Sequence, residues 1–98
     1  ELREGMILSN EPGFYKNGCY GIRIENLILI KKSYQKNFLE FDCLTLFPYE
    51  DKLIDYQMLE TRHRTWIKDY YKKIKKEIFP FINKAEKDWL IKKIRRFL

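Results

Sequence analysis

The sequence predicts an α+β fold, because strand-like alternation fills its first half while the i, i+3, i+4 spacing of amphipathic helices fills its second. Ninety-eight residues with 45% apolar and 16% aromatic content suffice for one small globular unit, at about 100–200 residues per domain. Glu1 opens the chain without an initiator Met and close to an apolar run, which is the expectation for a piece of something longer.

The first element runs from Met6 to Tyr15 (MILSNEPGFY) and is broken at Pro12-Gly13, a pair that disfavours continued pairing. A second strand spans Tyr20 to Lys32. It sets Ile22, Ile24, Asn26, Ile28 and Ile30 on one face and Arg23, Glu25, Leu27 and Leu29 on the other. Lys16-Asn17-Gly18 is a turn signal, so the two are expected to form a hairpin with a longer loop. After the polar stretch Lys31 to Asn37, alternation from Phe38 to Phe47 predicts a third strand ending at Pro48.

Beyond an acidic turn at Glu50, Asp51 and Asp55, the positions Trp66, Ile67, Tyr70, Ile74 and Ile78 mark a helix that Pro80 stops. Asn83 with Glu86 at the capping-box interval opens a second helix, with Leu90, Ile91, Ile94, Phe97 and Leu98 as its buried stripe. The aromatic residues Trp66, Tyr70, Trp89 and Phe97 read as core by spacing.

Charge is unevenly placed within the formal +6: residues 61–98 carry 13 Lys/Arg against 4 Asp/Glu, whereas residues 1–60 carry 7 against 10. A Lys/Arg run on an amphipathic helix is ordinarily a solvated face, so nucleic acid is not an expected partner, although the dense tail keeps a basic binding module as an alternative. No apolar run approaches the roughly 18–20 residues of a membrane span, and no basic-then-apolar leader opens the chain. A cytoplasmic location without membrane attachment is the default expectation. Cys19 and Cys43 lack CxxC spacing and a neighbouring His, which disfavours a disulfide or zinc role. His63 reads as a solvated surface residue.

The candidates for chemistry are Glu11, beside Pro12-Gly13, and Glu25, fourteen residues later in an Ile/Leu-rich strand. A buried carboxylate needs a cation, a hydrogen-bond donor or a metal, because desolvation costs several kcal/mol even after relaxation. Arg23 shares the strand face of Glu25 and is a ready partner. Two carboxylates are a weak metal signal by themselves, and from spacing alone an Arg–Glu cross-strand network that binds nothing is the favoured reading.

The residues also carry a resemblance. Gly5-Met6-x-Leu8-Ser9-Asn10-Glu11-Pro12-Gly13-Phe14-Tyr15, followed by Tyr20-Gly21-Ile22-Arg23-Ile24-Glu25-Asn26, resembles the closing metal-binding strands of aminopeptidase P, the Xaa-Pro aminopeptidase family. The resemblance continues through Leu44-Thr45-Leu46-Phe47-Pro48, Leu53-Ile54-Asp55, Trp66-Ile67 and Tyr70, which are similar to the C-terminal extension of that family. Methionine aminopeptidases and prolidases share the pita-bread fold and similar glutamate motifs, but they are not expected to continue into this extension.

What the resemblance implies is specific. Residues 1–48 would be the last antiparallel strands of a pita-bread catalytic domain, and residues 49–98 its helical extension. Five ligands would hold two divalent ions, usually manganese: two Asp and one His from upstream, then Glu11 and Glu25. Glu25 would bridge both ions. Glu11 would bind one and take the proton of the water that attacks the peptide carbonyl. Arg23 would steady the cluster, and Tyr15 would line the site or pack under the loop, with packing favoured. The substrate would be a peptide with proline at its second position, the upstream part of the enzyme would be a required partner, and a homodimer through the extension is a further option. With the upstream ligands outside these residues, the chain alone is expected to be inactive, and a degenerate non-catalytic fragment is the alternative. Tyr71, at a position the family usually fills with His, reads as drift at the surface.

Overall fold

A computed structural model describes residues 1–98. The order is five strands followed by two helices: β1 Ile7–Asn10, β2 Gly13–Lys16, β3 Tyr20–Arg23, β4 Asn26–Lys32, β5 Leu39–Cys43, α1 Thr61–Ile78 and α2 Lys84–Ile94, with short 3-10 turns before, between and after the helices. The α+β expectation is met. The chain nevertheless forms two compact units, Glu1–Thr45 and Leu46–Leu98, where length alone suggests one.

In the strand unit, β4 is the centre of a three-stranded antiparallel sheet, flanked by β1 and β5, and β2 pairs with β3 in a separate ribbon. Asn10 pairs with Asn26 in the first sheet and Gly13 with Arg23 in the second, so a single register runs through both. They are two halves of one long hairpin, interrupted at Glu11-Pro12 on one side and at Ile24-Glu25 on the other. The cause is local: Pro12 has no N–H to donate to the ladder, although its carbonyl still accepts from the Ile24 N–H at 3.1 Å. The expected continuous strand Tyr20 to Lys32 is therefore two strands, and Glu25 lies in the break between them.

The loop closing the β2–β3 ribbon is shorter than expected. Lys16 pairs with Tyr20, the Cys19 N–H donates to the Lys16 carbonyl at 3.0 Å, and Gly18 supplies the positive φ (+67°) that the tight turn needs. The third strand is also shorter than its alternation suggests, ending at Cys43. The Leu44 N–H still donates to the Leu27 carbonyl, but the Leu27 N–H donates to the Thr45 Oγ1 at 2.8 Å, so a side chain replaces the next rung. Asn26 and Ile30 of β4 are buried, two positions on the face that the alternation groups with Ile22, Ile24 and Ile28.

In the helical unit, α1 buries Ile67, Tyr70, Tyr71 and Ile74, and α2 buries Leu90 and Ile94, with Phe97 behind them. Pro80 sits in the 3-10 turn Phe79–Phe81 directly after α1. The capping box at Asn83 is complete: the Glu86 N–H donates to Asn83 Oδ1 at 3.0 Å and the Asn83 N–H to Glu86 Oε2 at 2.8 Å. Tyr70 donates its hydroxyl to the Phe47 carbonyl at 3.0 Å, which ties the segment before α1 to the helix.

Four expected core residues are exposed: Trp66, Trp89, Ile91 and Leu98. Trp66 shares the face of buried Tyr70 one turn further on and stacks on it at 5.2 Å, but it sits in the second turn of α1 and stays half exposed, while Trp89 and Ile91 flank buried Leu90. One position is about 100° of helix rotation, enough to carry a side chain off the buried stripe. Tyr71 errs the other way. Read as surface drift, it is fully buried, with Phe97 against it edge-on at 5.4 Å and Tyr49 and Tyr70 nearby. Its hydroxyl makes no well-formed hydrogen bond, and burial pushes its pKa up to about 12, an effect that the Tyr49 backbone N–H, near the hydroxyl without satisfying it, offsets only in part.

Candidate metal-binding carboxylates

The break in the hairpin creates the site. Continued across the gap, the register that pairs Asn10 with Asn26 and Gly13 with Arg23 sets Glu11 opposite Glu25. Side chains directly opposite on antiparallel strands share a face with Cβ atoms about 4.5–5.5 Å apart. Like charges in that position repel, and Arg23 relieves the repulsion by serving both: its Nε lies 3.0 Å from Glu25 Oε2 and its Nη1 3.9 Å from Glu11 Oε2. The two glutamates therefore converge on one guanidinium.

Neither carboxylate is buried. The side chains of Glu11, Glu25 and Arg23 are each about half exposed, so the desolvation that would demand a partner for a mid-strand glutamate does not apply. The reason is again Pro12, since ending the ladder opens the backbone on both sides to solvent. Sequence reasoning overlooked Ser9, whose Oγ donates to Glu11 Oε1 at 3.0 Å and fixes the second oxygen of that carboxylate. The alternation of Ser9 and Glu11 on one strand face was the signal that could have found it.

Tyr15 packs against its own ribbon. A Cβ at Gly13 would lie 2.7 Å from the Tyr15 hydroxyl, and one at Gly21 would lie 2.6 Å from Tyr15 Cδ1, so the ring lies across the two glycines in space that any other residue would occupy. Gly21 is directly opposite Tyr15, and Arg23 is opposite Gly13, so the hydroxyl ends beside the guanidinium. The hydrogen bond that Arg23 donates to the Tyr15 hydroxyl, followed by the charge of Glu25, raises the Arg23 pKa above its ordinary value. The ring both packs and reaches the cluster.

Two carboxylates and a hydroxyl make an all-oxygen donor set of the kind that hard divalent cations prefer, and solvent reaches it. No group of three or more His, Cys, Asp and Glu side chains is assembled anywhere in the chain, so a tightly held ion needs further ligands. His63 is exposed on α1, and the free thiols Cys19 and Cys43 belong to no such group.

The site and fold have counterparts. The metallopeptidase family M24 matches residues 1–32, and the C-terminal region of peptidase M24 matches residues 37–97, so the chain belongs to the M24 metallopeptidases. Within that family the chain is similar to Xaa-Pro aminopeptidases. It is 43% identical to Xaa-Pro aminopeptidase 1 of Dictyostelium discoideum, an alignment covering 96% of this chain and 16% of that protein. Against a putative Xaa-Pro aminopeptidase of Saccharomyces cerevisiae, identity is 48% over 83% of this chain and 11% of the relative. Among solved structures, the X-prolyl aminopeptidase of Caenorhabditis elegans, described as a cytosolic enzyme with a di-nuclear active site, superposes with a TM-score of 0.80 at 31% identity. That match covers 94% of this chain and 16% of the nematode enzyme, and the fold is a fragment of the pita-bread aminopeptidase P fold. The chain thus spans about a sixth or less of the relatives it matches.

Proposed function

We propose that this chain contributes the last two carboxylates of a dinuclear Xaa-Pro aminopeptidase site, Glu11 and Glu25, and that the remaining ligands come from protein outside these 98 residues. The observation that carries the proposal is the shared register across the hairpin break, which sets the two glutamates opposite one another with Arg23 between them.

Two divalent ions, with manganese the candidate for a carboxylate-rich donor set, would supply a lowered water pKa and polarisation of the scissile carbonyl. Glu25 would hold both ions and Glu11 one. Glu11 then acts as the base: it accepts the proton of the attacking water and delivers it to the proline nitrogen as the carbon–nitrogen bond breaks. Arg23 keeps the carboxylates from splaying, and Tyr15 keeps Arg23 in line. The substrate would be a peptide with proline second. A cytosolic setting, as for the nematode enzyme, and assembly through the helical unit belong to the same reading.

The purified chain tests the division of labour. It is expected to bind Mn²⁺ only weakly, because a metal site draws its affinity from several preplaced ligands, to lose that binding on Glu11→Gln or Glu25→Gln, and to cleave no Xaa-Pro peptide. Cleavage by the chain alone would overturn the assignment of the missing ligands to other protein.

A further inference from the structure

The basic surface of the helical unit was read from sequence as a solvated face, with Trp89 in the core. The structure separates the two. Residues 46–98 carry 14 Lys/Arg against 8 Asp/Glu, while residues 1–45 balance at 6 against 6. Part of that excess surrounds an open groove of about 610 Å³ lined by Lys52, Lys92, Lys93, Arg95 and Arg96, with Glu50, Asp51 and Trp89. Both carboxylates are already paired, Glu50 with Lys93 at 3.4 Å and Asp51 with Arg96 at 3.3 Å. Lys52, Lys92 and Arg95 remain to meet a ligand.

Trp89 decides what kind of ligand. Its indole is 46% exposed in the wall of this groove, packed against Phe47 at 5.9 Å, with the Lys93 ammonium 5.9 Å from the ring centroid. A solvated Lys/Arg face needs no indole. A cationic groove with an accessible flat ring matches the chemistry of a single nucleic-acid strand, in which phosphates meet cations and a base stacks on the aromatic side chain. A single strand alternates phosphates with flat rings at every residue, whereas an acidic polypeptide offers carboxylates on flexible side chains with no regular ring beside them. We propose that this groove binds single-stranded nucleic acid, independently of any peptidase role of the strand unit.

The charge count sets the salt dependence. Five lining cations less two lining carboxylates leave a net of three. Neutralising three phosphates of a single strand gives a slope of about −2 in log affinity against log salt, roughly a 20-fold loss between 50 and 200 mM. The experiment is anisotropy of a labelled short oligouridylate, with tryptophan quenching, on the full 98-residue chain. Four results are expected together: the 20-fold salt effect, at least 10-fold weakening by Lys92→Glu/Arg95→Glu, about 10-fold weakening by Trp89→Ala, and recovery of affinity without quenching in Trp89→Phe. The equal charge change Lys75→Glu/Lys76→Glu lies outside the groove and should weaken binding far less. Far-UV circular dichroism confirms that each variant folds. The proposal is overturned by absence of binding at 50 mM salt, by equal loss in the two double variants, or by unchanged affinity in Trp89→Ala. Anionic vesicles or polyglutamate binding as tightly as the oligonucleotide would also overturn it, showing bare charge attraction.

Discussion

Replacing Tyr71 with Phe removes one oxygen from the centre of the helical unit and should make the protein more stable. The hydroxyl is fully buried without a hydrogen-bond partner, and leaving such a group unsatisfied costs about 1–3 kcal/mol. Taking the lower end, Tyr71→Phe gains about 1 kcal/mol at neutral pH, a rise in Tm of about 4–8 °C for domains of roughly 60–100 residues. Alkaline pH gives a second, independent readout. The phenol titrates near 10 when unfolded and near 12 when folded, so the folded state holds its proton more tightly. Its contribution is intact below pH 10 and is lost as pH rises from 10 through 12, because the unfolded chain ionises first. A difference of about two at 1.36 kcal/mol each amounts to roughly 3 kcal/mol. Thermal melts of the wild-type chain and Tyr71→Phe from pH 7 to 12 measure both effects, and tyrosinate absorbance should show one of the seven tyrosines ionising late. If Tyr71→Phe melts lower than wild type at neutral pH, the hydroxyl has a partner and the reasoning fails. An unchanged gap between the two proteins above pH 10 would refute the burial argument.

Other consequences follow from single contacts. Asn83→Ala removes the side-chain half of the capping box and should cost about 1 kcal/mol, seen as a lower melting temperature and less helical circular dichroism. Gly21→Ala drives a methyl group into the Tyr15 ring, and overpacking of this kind costs about 1–3 kcal/mol. In the double variant Tyr15→Ala/Gly21→Ala the cost should fall well short of the sum, and an additive result would mean that the ring does not lie over Gly21.

Much of this architecture was readable from spacing. Pro80, Asn83 and Glu86 mark the helix ends because their local chemistry acts within a turn, and Ile67, Ile74, Leu90 and Ile94 mark the buried stripe because each helix keeps one face inward. Three features were less legible, for different reasons. The hairpin break was half visible in Pro12, but the matching interruption at Ile24-Glu25 arises from the partner strand and leaves no local mark. Trp66 and Trp89 look like core in any count of apolar residues, but Trp66 sits near the start of α1 and Trp89 one position off the buried stripe of α2. Tyr71 was misread because its departure from a family position usually filled by His was taken for drift at the surface, whereas its ring fills the space beside Phe97. The two carboxylates were identified as residues, but their convergence depends on the register across the break, which pairs positions fourteen residues apart.

The most direct measurement is hydrolysis by a folded chimera in which these 98 residues replace the matching segment of the nematode X-prolyl aminopeptidase. If Glu11 and Glu25 complete the dinuclear site, the chimera cleaves Xaa-Pro peptides, and Glu11→Gln lowers kcat at least about 100-fold, the lower end of what a positioned base contributes. A folded chimera that is inactive, or one whose activity survives Glu11→Gln, contradicts the assignment.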